Sequence, residues 1–166
     1  MADMKKIILV RHAKSSWDNP FLNDHDRPLA DRGLADAPKM AKRLKKRGII
    51  PDLILSSTAL RAAETSKITA KVLGFPSEKI HWEKGLFHAT PNQILKIIRM
   101  QKDTANTLLV FGHNPGFNDL ITYLGGHLDN LPTSGQFGFK LKAAHWAELQ
   151  PETAEVWFID YPKKKS

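Results

Sequence analysis

A chain of 166 residues, 42% hydrophobic and 25% charged, reads as one soluble domain over 1–166, long enough to bury about 68–70% of its unfolded surface. No apolar run approaches the ~20 residues of a membrane span, and the opening MADMKKIILV lacks a signal peptide's apolar core and cleavage site, so a cytoplasmic location is expected. The absence of cysteine excludes disulfides, thiolate metal sites and thiol nucleophiles, while 25 basic against 17 acidic residues (+8) create a field that favours anionic substrates.

The basic excess gathers in KMAKRLKKRG (Lys39–Gly48) and KKK (Lys163–Lys165). Its plain reading is a solvated helix face and a frayed tail over 162–166, so no nucleic-acid partner is expected.

Strand-like and helix-like segments alternate along the chain. The first strand candidate, Lys6–Val10, is aliphatic from Ile7 onward, as in a strand buried on both faces, and it runs directly into Arg11 and His12. In Leu34–Leu44, apolar residues recur at helical spacing and Gly48 supplies a stop; Pro38 inside the segment predicts a bend or a late start. A strand at Asp52–Leu55 leads into a helix from Ala59 to Leu73, which ends at Gly74 and carries Arg61 in its first turn. A third strand is expected at Glu78–Trp82 and a helix at Pro91–Met100. The fourth strand, Thr107–Phe111, leads to His113, and a helix over Pro115–Leu124 is closed by Gly125-Gly126. Strands at Gly138–Leu141 and Glu155–Ile159 complete the set.

This alternation implies an α/β fold, a three-layer α/β/α sandwich with a mainly parallel central sheet. Ligands of such sheets bind beyond the carboxyl ends of the strands. Three strands deliver Arg11, His12, Arg61 and His113 to that edge. A lone histidine or arginine there reads as structural; four converging read as a site. Asn114-Pro115 reads as an N-cap followed by proline at the first helical position, and Ser57 or Thr58 offers a cap for the Arg61 helix. Helix N-termini and arginine forks both suit phosphate oxygens. The sequence has no GxxxxGK[ST] loop, DxDxDG loop or HExxH pair, and no carboxylate cluster offers a magnesium site. No metal and no cofactor are expected, and phosphoryl transfer through a neutral imidazole fits the residues present.

LVRHAKSSW, SSTALRAAET and VFGHNPG resemble, in this order, the motifs of the histidine phosphatase superfamily, with its phosphoglycerate mutase-like fold. The short length and DHDRPLADRG resemble its small SixA-type phosphohistidine phosphatase branch. The resemblance implies that His12 is the nucleophile that becomes phosphorylated, and that Arg11, Arg61 and His113 bind the phosphoryl oxygens. It implies a further phosphate contact from Arg27. Ser15 and Asn114 are additional candidates for phosphate contact, with turn and cap chemistry as their plain readings.

Two departures stand out. The usual Arg-His-Gly is Arg-His-Ala here, with Ala13 in third place. Larger family members carry a glutamate general acid after the third strand, whereas this chain has Gly85 near that position. Asp18, Glu83 and His88 remain as candidate proton donors, each with an ordinary surface or turn role as the alternative. An imidazole leaving group can take its proton from solvent beforehand, so a site without a dedicated acid should accept phosphoramidates better than phosphate monoesters. No loop is long enough for a large lid, which suits a histidine displayed on another protein. The expected activity is phosphatase action on protein phosphohistidine. The alternatives are a small-molecule phosphomonoesterase of loose specificity and a catalytically silent basic phosphate-binding module. Oligomeric state stays open.

Overall fold

The computed structural model of the chain describes residues 4–165; Ser166, the last residue of the tail expected to fray, lies outside the described residues. Six strands form one sheet: β1 (Lys5–Arg11), β2 (Leu53–Ser56), β3 (His81–Trp82), β4 (Thr107–Gly112), β5 (Gln136–Leu141) and β6 (Ala154–Asp160). Their spatial order is β3-β2-β4-β1-β5-β6. The first four are parallel neighbours, while β5 and β6 add an antiparallel edge. Four helices complete the fold: α1 (Asp31–Lys46), α2 (Leu60–Leu73), α3 (Pro91–Arg99) and α4 (Gly116–Tyr123).

The aliphatic run of β1 explains the layering. Its side chains alternate between faces. Ile7 and Leu9 join a core with Ile94, Leu95 and Ile98 of α3 and Phe117 and Leu120 of α4. Ile8 and Val10 face the other way, into a cluster with Leu44 of α1 and Ala70 of α2. A strand covered on both faces must be apolar throughout. The three-layer α/β/α sandwich and its mainly parallel sheet are as the sequence implies.

Several elements differ from expectation. α1 starts at Asp31, ahead of Pro38, and passes through the proline rather than starting late. Asp31 in its first turn complements the helix dipole, and Gly33, Ala37, Met40, Ala41 and Leu44 bury one face. The third strand shrinks to His81–Trp82, because Ser77–Lys79 forms a 3-10 turn after Pro76. The α3 start carries a capping box, in which Thr90 accepts from the Gln93 amide and Gln93 accepts from that of Thr90. Gly74 ends α2 in the left-handed region at φ 75°, a conformation that glycine adopts freely. No helix among the described residues is long and apolar enough to cross a membrane.

Candidate active site

Because β1, β2 and β4 are parallel neighbours, Arg11 pairs in register with Gly112, and Ser56 with Phe111. The residues that follow each strand therefore emerge side by side. They line a cleft of about 300 Å³ that holds Arg11, His12, Arg27, Arg61 and His113.

His12 is buried and held from both sides of its own backbone. Its amide donates to the Gly112 carbonyl (3.1 Å) and its carbonyl accepts from Ser134 (3.0 Å). The ring Nδ1 lies 2.7 Å from the Ala13 carbonyl oxygen. A carbonyl can only accept, so Nδ1 carries the proton and the neutral ring keeps its lone pair on Nε2. Ala13 explains the first departure: it is fully buried against Leu29 and Ala37 and has no positive φ, so its methyl group packs where glycine is not required. Its amide donates to Thr65 Oγ1 (3.0 Å), which in turn donates to the Arg61 carbonyl (2.7 Å). The strand bearing the histidine is thereby tied to the helix bearing the arginine.

The cations are fixed individually. Arg11 donates to the Leu131 carbonyl (2.9 Å). Arg27 donates to Ser15 Oγ (2.7 Å) and to Asp24 Oδ1 (3.1 Å), with its guanidinium stacked 3.4 Å over the Trp17 ring. Arg61 grips Asp24 twice, through the backbone carbonyl (2.6 Å) and Oδ2 (3.0 Å). His113 Nε2 lies 2.8 Å from Ser57 Oγ, and its ring centroid is 5.1 Å from that of His12. Among the described residues, the buried atoms Arg11 Nε, Arg61 Nε and His113 Nδ1 have no hydrogen-bond partner. Unpaired buried donors cost about 1–3 kcal/mol each.

Electrostatics follow from this packing. Burial, reinforced by the charges of Arg61, Arg11 and Arg27, pushes His12 down to about 4, against the opposing pull of its bond to the Ala13 carbonyl. Burial, with His12 and Arg61 nearby, pushes His113 down to about 3. Both imidazoles are neutral at physiological pH. Burial works against ionisation of Asp24, but the charges and hydrogen bonds of Arg61 and Arg27 outweigh it and hold the carboxyl below its usual range.

The other sequence candidates fall in different places. Ser15 lines the cleft and orients Arg27. Asn114 also lines it, but its amide nitrogen is committed to Asn130 Oδ1 (3.1 Å) and the Leu131 carbonyl (2.9 Å). The expected N-cap arrangement shifts by one residue: α4 begins at Gly116 with Pro115 as the preceding cap position, and Asn114 Oδ1 accepts from Asn118. Neither Ser57 nor Thr58 is the N-cap of α2; Ala59 is, and Ser57 is turned toward His113 while Thr58 meets His25 (2.9 Å). Asp18 lines a separate hollow and Glu83 is bonded to the Gly85 amide, so neither is brought into the cleft. His88 is: its Nε2 lies 3.8 Å from Asp24 Oδ2, on a backbone held at φ 56°. A non-glycine residue at positive φ is costly and is retained where the surroundings impose it.

Asp24 is not among the sequence candidates, and among the described residues it is the carboxylate that lines the cleft. Its signal was the three-residue spacing to Arg27 in DHDR, which a 3-10 turn at Asp24–Asp26 converts into an ion pair. Thr65 reads in the sequence as an ordinary helix residue, and Ser57 only as a helix cap rather than a partner of His113. Among the described residues, no three of His, Asp and Glu gather as a set able to hold a metal ion.

Residues 7–86 match the family model of the histidine phosphatase superfamily, branch 1. An uncharacterised chloroplastic protein of Arabidopsis thaliana is 36% identical over 87% of this chain and 70% of its own length. The candidate phosphohistidine phosphatase SixA of Agrobacterium tumefaciens superposes with a TM-score of 0.81 at 27% identity, over 95% of this chain and 98% of its own. A protein histidine phosphatase SixA complexed with tungstate superposes with a TM-score of 0.78 at 20% identity, over 93% and 95% of the two chains. The three motifs, the strand order and the four converging side chains thus have one common account: the chain belongs to the histidine phosphatase superfamily, in its small SixA-type branch.

Proposed function

We propose that the protein is a metal-independent phosphatase that removes the phosphoryl group from phosphohistidine on another protein, in the cytoplasm, through a phosphorylated His12. The observation that carries this reading is the pinned, neutral His12 ring, with Nε2 free and Arg11, Arg27, Arg61 and His113 around it. Tungstate has the tetrahedral shape of phosphate, and a protein histidine phosphatase of the same fold is complexed with it, which supports binding of a tetrahedral oxyanion.

The His12 Nε2 lone pair forms a bond to phosphorus in line with the leaving nitrogen. The P–N bond breaks, and its electron pair stays on the leaving imidazole, which carries a proton taken from solvent. Water then attacks the phosphorus of phospho-His12, releases phosphate and leaves the ring neutral. Arg11, Arg27 and Arg61 offset charge on the equatorial oxygens, and His113 lends an N–H. Loss of one such donor costs about 2.7–4 kcal/mol in barrier.

The choice of a nitrogen leaving group is supported by the state of the acids. Asp24 is held ionised by two arginines, which makes it a poor proton donor, and Asp18 and Glu83 lie elsewhere. A small-molecule phosphomonoesterase is the second reading, favoured by His88 at the rim of the cleft, where it can protonate an alkoxide. The separating experiment offers a phosphohistidine peptide and an aryl phosphate to wild type and His12→Ala. Turnover of the peptide well above the ester, abolished in His12→Ala, supports the proposal. Preference for the ester favours the second reading, and turnover of neither substrate, with wild type and His12→Ala indistinguishable, leaves only a silent phosphate-binding module.

A further inference from the structure

Beside the catalytic cleft lies a second hollow of about 410 Å³, with Arg32 at the start of α1 on one wall and Tyr161 and Lys163, after β6, on the other. Lys14 and Thr133 line both hollows. The two hollows adjoin across these two residues, and the second is a groove between the start of α1 and the C-terminal turn.

The groove is preformed. The Lys14 carbonyl accepts from the Ala30 amide (2.8 Å), and Gly33 packs so closely that a Cβ there would fall 2.2 Å from that same oxygen. On the far wall, Lys39 Nζ donates to the Pro162 carbonyl (2.9 Å) and Arg43 to that of Tyr161 (2.9 Å). The segment after β6 is thus tied onto α1, with Lys163 held at the groove's end.

The groove is also cationic on balance: Lys14, Arg32 and Lys163 line it against one carboxylate, Asp36. Among the described residues, neither Lys14 nor Lys163 has a hydrogen bond or ion pair from its side chain within the protein. Arg32 meets Asp36 at 3.5 Å, with the arginine side chain 59% exposed, so the pairing is weak and leaves the guanidinium open to other anions. Phosphorus and a leaving imidazole need no more room than the catalytic cleft. The adjoining hollow suits what a small phosphorylated molecule lacks: the residues on either side of a phosphorylated side chain.

We propose that this groove binds an acidic stretch of a phosphoprotein flanking its phosphorylated residue. The inference rests on the protein-phosphohistidine reading above and adds the charge of the partner. Cations that reach solvent attract such a segment from a distance and lose that pull as salt rises.

The test compares two phosphohistidine peptides of equal length, one flanked on both sides by Asp and Glu and one by Asn and Gln, with a small phosphoramidate as reference. Wild type is expected to favour the acidic peptide by roughly three- to tenfold in kcat/KM at low ionic strength, with the difference carried by KM and shrinking in salt. The double variant Arg32→Glu, Lys163→Glu is expected to lose or reverse that preference while hydrolysing the small phosphoramidate as wild type does; both positions are exposed and lie outside the catalytic cleft. Equal turnover of the two peptides overturns the groove proposal and leaves the phosphohistidine reading standing. Turnover of neither peptide, with an aryl phosphate still hydrolysed, overturns both.

Discussion

Nδ1 of His12 lies 2.7 Å from the carbonyl oxygen of Ala13, the next residue in the chain. This contact sets the tautomer of the ring without a carboxylate partner. It also directs Nε2 as the only unprotonated ring nitrogen while the ring is neutral. The orientation of the proposed nucleophile is therefore a local property of the turn that follows β1, and distant substitutions should leave it intact.

The pH dependence follows from the burial of the two histidines. His12 is held at about 4 and His113 at about 3, so both should stay neutral as pH falls through 6.5. Single-turnover rates, corrected for substrate ionisation, are expected to hold down to about pH 5 and to fall as pH approaches 4. A fall centred near 6.5 would contradict the burial of His12.

The same shifts act on stability with a definite sign. Below 6.5 the unfolded chain binds protons on these histidines that the native chain refuses, so stability falls between about 6.5 and 4. The His12 contribution to this loss is on the order of 3 kcal/mol. Urea midpoints measured across that range are expected to drop for wild type and to drop less for His12→Asn.

Asp24 is the one carboxylate among the cleft's cations, paired with Arg61 and Arg27. Asp24→Asn keeps Oδ1 as an acceptor for Arg27 and the backbone carbonyl for Arg61, gives up the Oδ2 acceptor, and removes a negative charge from the cleft. Inhibition by inorganic phosphate is expected to strengthen by about tenfold, equivalent to ~1.4 kcal/mol. Inhibition constants for phosphate in the two proteins check this; an unchanged constant would mean that the charge of Asp24 is not felt at the phosphate position.

Ser57 acts through His113. Ser57→Ala removes the 2.8 Å contact to Nε2 and leaves a buried ring nitrogen without a partner. A loss of about 1–1.5 kcal/mol in transition-state stabilisation, near tenfold in kcat, is expected. The loss should be absent when the substitution is made in a His113→Ala background, where the serine has nothing to orient.

Gly33 sets how closely α1 approaches the loop after His12. A Cβ there would fall 2.2 Å from the Lys14 carbonyl oxygen, a backbone atom that cannot turn aside. Gly33→Ala is expected to destabilise the fold by about 1–3 kcal/mol, read as a lower Tm. It should also weaken the hold of Ser15 on Arg27.

Much of this site was legible in the sequence because its chemistry sits at strand ends. The aliphatic run Ile7–Val10 marks a doubly covered strand, and the rule that ligands gather at carboxyl ends brings Arg11, His12 and His113 together. What escaped was set by contacts between segments far apart in the chain. Asp24 looks like any turn aspartate until Arg61, 37 residues later, folds onto it. Asn114 looks like a helix cap and a phosphate ligand, yet its amide is committed to the loop at Asn130 and Leu131. Asp18 and Glu83 are near the site in sequence only. Pro38 failed as a boundary because the buried face of α1, from Gly33 to Leu44, continues across it and tertiary packing outweighs the lost hydrogen bond.

His12 Nε2 is the atom proposed to receive phosphorus. Rapid quench of wild type with a phosphohistidine peptide, followed by mass spectrometry and phosphorus NMR, reads that atom directly. An acid-labile, base-stable phosphate on His12 at Nε2 is expected, absent from His12→Ala. Phosphate on Nδ1, on another residue, or on none during active turnover would contradict it.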